Sequence, residues 1–177
     1  MFLTIITIAI LASFLLEVWL GRRQIRHVLA NRERVPSAFQ GSVSLNEHQK
    51  AADYTVAKVR FGMKRDAADA VLSFVLLVGG GFAFIHTSVV ATFGAGYIGS
   101  LGLVAVIALI GGVISLPFDY IGVFSIEERF GFNRMTRKLF FGDLAKSLVL
   151  AVLFMTPLVL AADFAISRSP SSWRFCS

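Results

Sequence analysis

Three histidines, His27, His48 and His86, are the side chains in this sequence best suited to hold a metal. A zinc-protease helix needs the spacing H-E-x-x-H. That spacing puts two imidazoles on one helical face, with the glutamate beside them as general base. His27 is followed by Val-Leu-Ala-Asn, His48 by Gln-Lys-Ala-Ala and His86 by Thr-Ser-Val-Val, so none of them fits. Glu47-His48 has the reverse order and no second histidine. All three read as structural or solvated groups, not ligands.

Carboxylates offer a second kind of chemistry. Glu127-Glu128-Arg129 could split acid and base roles between paired carboxylates. Neighbouring residues on a helix point about 100° apart, however, and do not share one site. The better reading is a charged turn at a membrane surface, with Arg129 keeping both acids ionised. Glu17 and Asp163 lie inside apolar runs, where acids are functional candidates by default. Both fall near run ends, where snorkelling is cheap, so they read as positional anchors. No G-x-S-x-G elbow and no P-loop marks a nucleophile or a phosphate cradle. The lone Cys176 excludes an intrachain disulfide and a C-x-x-C zinc site. It stands second from the end, so it is not a C-a-a-X lipidation box. No catalytic residue and no metal ligand is assigned.

The elements that carry these groups are membrane helices. The chain is 56% hydrophobic with a mean hydropathy of +0.73, and the apolar residues are blocked into long runs. Net charge is +6. The basic residues cluster in two loops between apolar runs, which points to lipid head groups and topology, not to nucleic acid. The first span is residues 2–20, read as an uncleaved anchor with its N-terminus outside, Glu17 near the inner end and Trp19 at the interface. Residues 21–69 form a basic cytoplasmic segment. Within it Ser44-Leu45-Asn46-Glu47 has the form of a capping box, with Ser44 and Glu47 as the reciprocal pair. A helix is predicted from Leu45 toward Phe61, weakened at Gly62.

The second span is predicted over residues 70–90, with Gly79-Gly80-Gly81 at its middle, and an uncharged outer link follows at 91–95. The third covers 96–118. Its small-xxx-small pairs Gly96/Ser100, Ala108/Gly112 and Gly111/Ser115 permit close helix packing. A second basic loop, 119–143, leads to the fourth span at 144–166, with Lys146 near its inner end and Pro157 inside. Residues 167–177 read as a polar, unstructured tail. Fifteen of the 17 Lys and Arg lie in the two loops or at their borders, which places both loops in the cytoplasm and both termini outside.

Two stretches carry a resemblance. One is Leu116-Pro117-Phe118 followed by Phe124 to Asn133, whose core is Glu127-Glu128-Arg129-Phe130-Gly131-Phe132-Asn133, and then Leu139 to Lys146. The other is Val43 to Thr55, with its Gln49-Lys50-Ala51-Ala52-Asp53-Tyr54 run. Together they resemble the N-terminal membrane domain of the type 1 CAAX prenyl proteases, integral-membrane zinc metallopeptidases with bacterial members. The resemblance covers residues 1–166. It implies that the zinc motif and the further glutamate ligand lie C-terminal to everything matched here, and that this chain is truncated before them.

The expectation is an all-α membrane bundle of about four spans with one cytoplasmic helical loop. By the resemblance it would wall part of a membrane chamber and brace a protease domain, inactive by itself and without a cofactor of its own. Zinc would belong to the full-length family only. Partners would be the lipid bilayer, a missing C-terminal protease domain and, for the parent family, a membrane-associated polypeptide substrate. Nucleic acid is not among them. The location would be a bacterial inner membrane. Residues 127–133 would form a structural brace, with Arg129 forking onto a carboxylate and Asn133 capping the last helix. The alternatives are an interaction protein pairing with a protease half or another partner, and a small carrier or channel. A carrier needs polar residues at mid-span, whereas the charges here fall at span ends.

Overall fold

Phe2 opens a helix that does not stop where the apolar run does: α1 spans Phe2–Ala30. At 1.5 Å per residue its 29 residues reach about 43 Å, beyond the ~30 Å hydrocarbon core of a bilayer. The surplus is the basic stretch after Gly21. The computed structural model describes residues 1–39 and 41–168, without the side chains of Ala38, Asp163 and 166–168. The polar tail expected from residue 167 is thus helical at its first two positions, 167 and 168, where α5 runs on past the apolar span; the rest of it, with Cys176, lies outside the described residues, as does the Asp163 carboxylate. After a short 3₁₀ turn at Ser37–Phe39, α2 covers Leu45–Leu77, α3 Gly81–Phe93, α4 Tyr97–Ile121 and α5 Arg137–Arg168. A π-helical stretch, Gly122–Glu127, continues α4. No strand occurs among the described residues.

The chain divides into two units. The first comprises Met1–Gly81 and Gly112–Arg134. Its α1 and α2 run antiparallel, as three contacts along their length show: Asn31 meets His48, Gly21 packs on Met63 and Val59, and Ser13 shares a groove with Ser73. From Ile10 onward the partly covered residues of α1 (Ile10, Phe14, Val18, Gly21, Ile25 and Val28) recur every three or four positions and form its seam. Ala52 and Val56 of α2 are the buried residues of this unit, each 7% exposed. Across the outer faces stand Leu11, Leu15, Leu16 and Trp19, each more than half exposed. Such an area is stable only against lipid or another protein surface.

Two expectations for this region need correction. Gly62 does not end the helix; α2 passes through it to Leu77. A single helical glycine costs only about 1 kcal/mol, which the seam with α1 outweighs. The break comes instead at residues 78–80, where Gly80 takes φ +78°. The predicted second span is thus two helices, the end of α2 and α3. Among the described residues three helices are long and apolar enough to cross a membrane, or up to four if the interrupted pair counts as one span.

The second unit comprises Phe82–Gly111 and the described chain from Met135 onward. Here α3 turns into α4 through Gly94 and Gly96, at φ +78° and +118°, values that side-chain-bearing residues rarely adopt. A Cβ on Gly99 would collide with the Gly94 carbonyl, and one on Gly102 would stand 3.2 Å from Val89. Val89, 5% exposed, Ile85, 9%, and Gly99 are the buried ones among the described residues of this unit. The predicted small-residue pairs are not the contact points. Gly96, Gly111 and Gly112 have open space where a Cβ would go, while Gly102, outside every pair, packs closely. α5 is apolar and largely exposed, with Pro157 inside it.

Candidate functional site

Charge and aromaticity concentrate where α1 ends and α2 begins. Ser44 caps α2: its Oγ accepts from the Glu47 amide at 3.3 Å, and the Glu47 carboxylate accepts from the Ser44 amide at 2.9 Å. The Ser44 hydroxyl also donates to the Glu47 carboxylate at 2.7 Å, and this bond first, then the one from the Ser44 amide, holds Glu47 below the ordinary carboxylate range. Beyond the cap, Arg32 reaches across from the end of α1. Its Nε and Nη2 donate to both oxygens of Asp53, each at 2.8 Å, the planar fork that guanidinium makes with carboxylate. Asp53 is held below its usual pKa by those hydrogen bonds, and the guanidinium of Arg32 is raised by the same contacts. Arg32 Nη1 also donates to Glu33 at 2.7 Å, and Gln49 donates to the other oxygen of Glu33 at 2.7 Å. His48 Nε2 lies 3.0 Å from the Asn31 carbonyl.

The loop after the π-helical stretch comes back to this place. The Glu127 carbonyl accepts from Phe132 and Asn133 at 2.8 and 3.2 Å, and Gly131 donates to the Glu128 carbonyl at 3.0 Å. The turn needs φ +72° at Gly131. It presents Phe130 and Phe132 to Tyr54 of α2, with ring centroids 5.6 and 4.8 Å away. Lys50 lies over Phe132 and Lys58 over Tyr54, both at 5.5 Å. Deeper, Phe61 packs on Phe118 at 5.7 Å, and Arg65 donates to Asp119 at 2.6 Å.

Several predicted residues thus meet, though not as predicted. Arg129 makes no carboxylate fork among the described residues; its guanidinium lies 5.7 Å from the Phe130 ring centre. Asn133 is not the cap of α5. The helix starts later, and Thr136 accepts from the Leu139 amide at 3.2 Å. The phenylalanines of the loop pack on Tyr54. Sequence reading missed Arg32–Asp53 and Arg65–Asp119, because partners 21 and 54 residues apart leave no local pattern. It also missed that Glu17 shares an open groove of about 330 Å³ with Asp66 and Asp69.

A zinc ion needs three protein ligands and a water. Among the described residues no three His, Cys, Asp or Glu side chains stand close enough to hold a metal, so these side chains do not fit a catalytic zinc. His48 points at a backbone carbonyl, and His86 stacks on Phe82 at 6.5 Å.

Residues 24–177 match the family model described as CAAX prenyl protease N-terminal, five membrane helices. The chain is similar to CAAX prenyl protease 1 homolog of Dictyostelium discoideum, 29% identical over 176 residues, covering 94% of this chain and 41% of that protein. It is also similar to CAAX prenyl protease 1 of Saccharomyces cerevisiae, 25% identical over 84% of this chain and 35% of the relative. The crystal structure of S. mikatae Ste24p has the same fold, with a TM-score of 0.85 over 96% of this chain and 40% of that one at 24% identity. The chain therefore spans about two fifths or less of the length of these relatives.

Proposed function

Given that this chain belongs to the CAAX prenyl protease N-terminal family, we propose that it walls part of a membrane chamber and braces a zinc protease domain built by other residues. The observation that carries this reading is the meeting at Tyr54. The two stretches that resemble the family, 43–55 and 124–133, lie some 70 residues apart and pack on each other there. A loop that served only to connect two spans would have no need of an aromatic lock, a positive-φ glycine and a cation over each ring. Residues 127–133 are the brace, and its strength lies in the rings and the backbone turn.

The sequence holds no H-E-x-x-H, so the general base and the metal ligands must be supplied from outside these 177 residues, and the chain alone is inactive. Both basic loops face the cytoplasm and the N-terminus lies outside, by the distribution of Lys and Arg. A bacterial inner membrane is the host bilayer.

The test is to produce the chain alone and joined to the remainder of the Dictyostelium relative, then assay zinc content and cleavage of a prenylated C-a-a-X peptide. The chain alone should hold well under one zinc per molecule and cleave nothing; the joined protein should do both. Tight 1:1 zinc in the chain alone, lost on His48→Ala, would overturn the reading. In the joined protein Tyr54→Ala should lower folded yield and activity together. Activity lost at unchanged folded yield and thermal stability would replace the brace with a direct role in catalysis or substrate binding.

A further inference from the structure

Arg22, Arg23 and Arg26 on α1 and Arg60 and Lys64 on α2 are exposed, and none has an ion-pair partner among the described residues. The packing of the two helices sets their heights. Gly21 faces α2 so closely that an added Cβ would lie 3.1 Å from the Met63 side chain and 3.5 Å from Val59. Since the helices are antiparallel, Gly21 is level with the middle of the segment 59–63. Arg22, Arg23 and Arg26 then rise past that level as Arg60 does, and Lys64 sits just below it. At 1.5 Å per residue the five Cα atoms fall within a band about 12 Å deep. Long flexible side chains can bring their charges to one plane from either edge of such a band.

An independent marker sits in the same band. Trp19 is 52% exposed, and the Arg23 guanidinium lies over its ring at 5.6 Å. Exposed tryptophan on a membrane helix settles at the boundary between acyl chains and head groups. A cation stacked on it is therefore held at phosphate depth, not out in solvent. Below it α1 is apolar for most of its length; above it the helix is basic. The exposed arginines of α1, at 22, 23 and 26, share an arc of about 100°, and Arg60 and Lys64 share one face of α2 as an i,i+4 pair.

We propose that this band is a binding collar for anionic phospholipid head groups, in which Arg23 on Trp19 fixes the depth and the other four cations take the phosphates. It requires only that α1 enters the bilayer, and stands whether or not the brace does. The charge complementarity is one-sided. Arg65, next to Lys64, is already taken by Asp119, and Arg32, beyond Arg26, by Asp53. Lys58, in the same interval, is turned onto Tyr54 and donates to its hydroxyl at 3.3 Å, so the other five cations between these two pairs are the ones left for lipid.

The experiment uses the full chain in mixed micelles of phosphatidylglycerol and phosphatidylcholine, with retained lipid counted by native mass spectrometry. Wild type should retain phosphatidylglycerol in preference, and the preference should shrink between about 0.05 and 0.5 M salt as screening sets in. Each neutralised charge should weaken anionic lipid binding about five-fold. The combined change Arg22→Gln, Arg23→Gln, Arg26→Gln, Arg60→Gln and Lys64→Gln should therefore abolish the preference, while Arg34→Gln with Arg134→Gln, exposed cations outside the band, should leave it intact. Equal retention of both lipids by wild type, or a preference unaffected by salt, overturns the proposal even if the five-site variant fails to fold. Displacement of the bound lipid by millimolar glycerol phosphate would make this a soluble-phosphate site, and displacement by an acidic polypeptide a protein-docking site; either overturns it as well.

Discussion

The α1–α2 unit and the α3–α4 turn are both helical and both present apolar side chains outward, yet they hold themselves together by different means. In the first, residues distant in sequence are joined by directional contacts: Arg32 with Asp53, Arg65 with Asp119, Phe130 and Phe132 with Tyr54. In the second, the close contacts are between glycine and a neighbouring helix, Gly102 against Val89 and Phe93, and the turn depends on Gly94 and Gly96. The difference follows the solvent. Where water competes, geometry must come from paired charges and stacked rings. Within lipid there is no hydrophobic drive between helices, so close approach of small residues does the work.

The comparison can be broken by substitution. Tyr54→Ala removes the ring that receives both loop phenylalanines and is expected to cost about 2–3 kcal/mol, read as a drop in thermal midpoint in detergent. Gly131→Ala forces a Cβ into φ +72° and should cost about 1–2 kcal/mol. In the α3–α4 region, Gly102→Ala must push Val89 and Phe93 aside and should cost about 1 kcal/mol, while Gly111→Ala, with open space around it, should stay within about 0.5 kcal/mol. Equal effects at the two glycines would mean that close packing does not hold α3 to α4.

Two smaller effects sharpen the picture of the first unit. Asp53 is ionised in the fold below its ordinary pKa of 3.8, so the Arg32 pair stabilises the protein above that pH and is lost as pH falls through the depressed value. The side chains are partly exposed, so the loss should be modest. It should appear as an acid-side decline in thermal midpoint that Asp53→Asn removes. Arg129→Ala should change stability by no more than about 0.5 kcal/mol, because its contact is a ring face and not a carboxylate.

The sequence shows readily what is local. Ser44 and Glu47 stand three apart in a pattern with one physical meaning, and the apolar runs are long enough to identify themselves. Gly131 beside two phenylalanines already suggests a turn. What stayed hidden depends on partners far along the chain. Gly62 looks like a stop until Gly21 and Met63 are known to pack at the same height. Asp53 looks like one more surface acid until Arg32 is brought onto it. The triple glycine at 79–81 reads as the middle of a span, because composition cannot tell a tolerated glycine from one at φ +78°.

That interruption has a consequence for wetting. A helix that stops leaves its last carbonyls without an intrahelical donor. Here the Phe74 carbonyl takes the amides of both Val78 and Gly79, at 2.9 Å each, and the helical ladder ends inside the apolar stretch 70–90. Hydrocarbon offers nothing to such groups, and irregular backbone at membrane depth survives only against protein or around water. Wherever this stretch lies within the bilayer, the peptide groups of residues 78–80 therefore need water or protein beside them, and one side of an otherwise oily stretch must be polar ground.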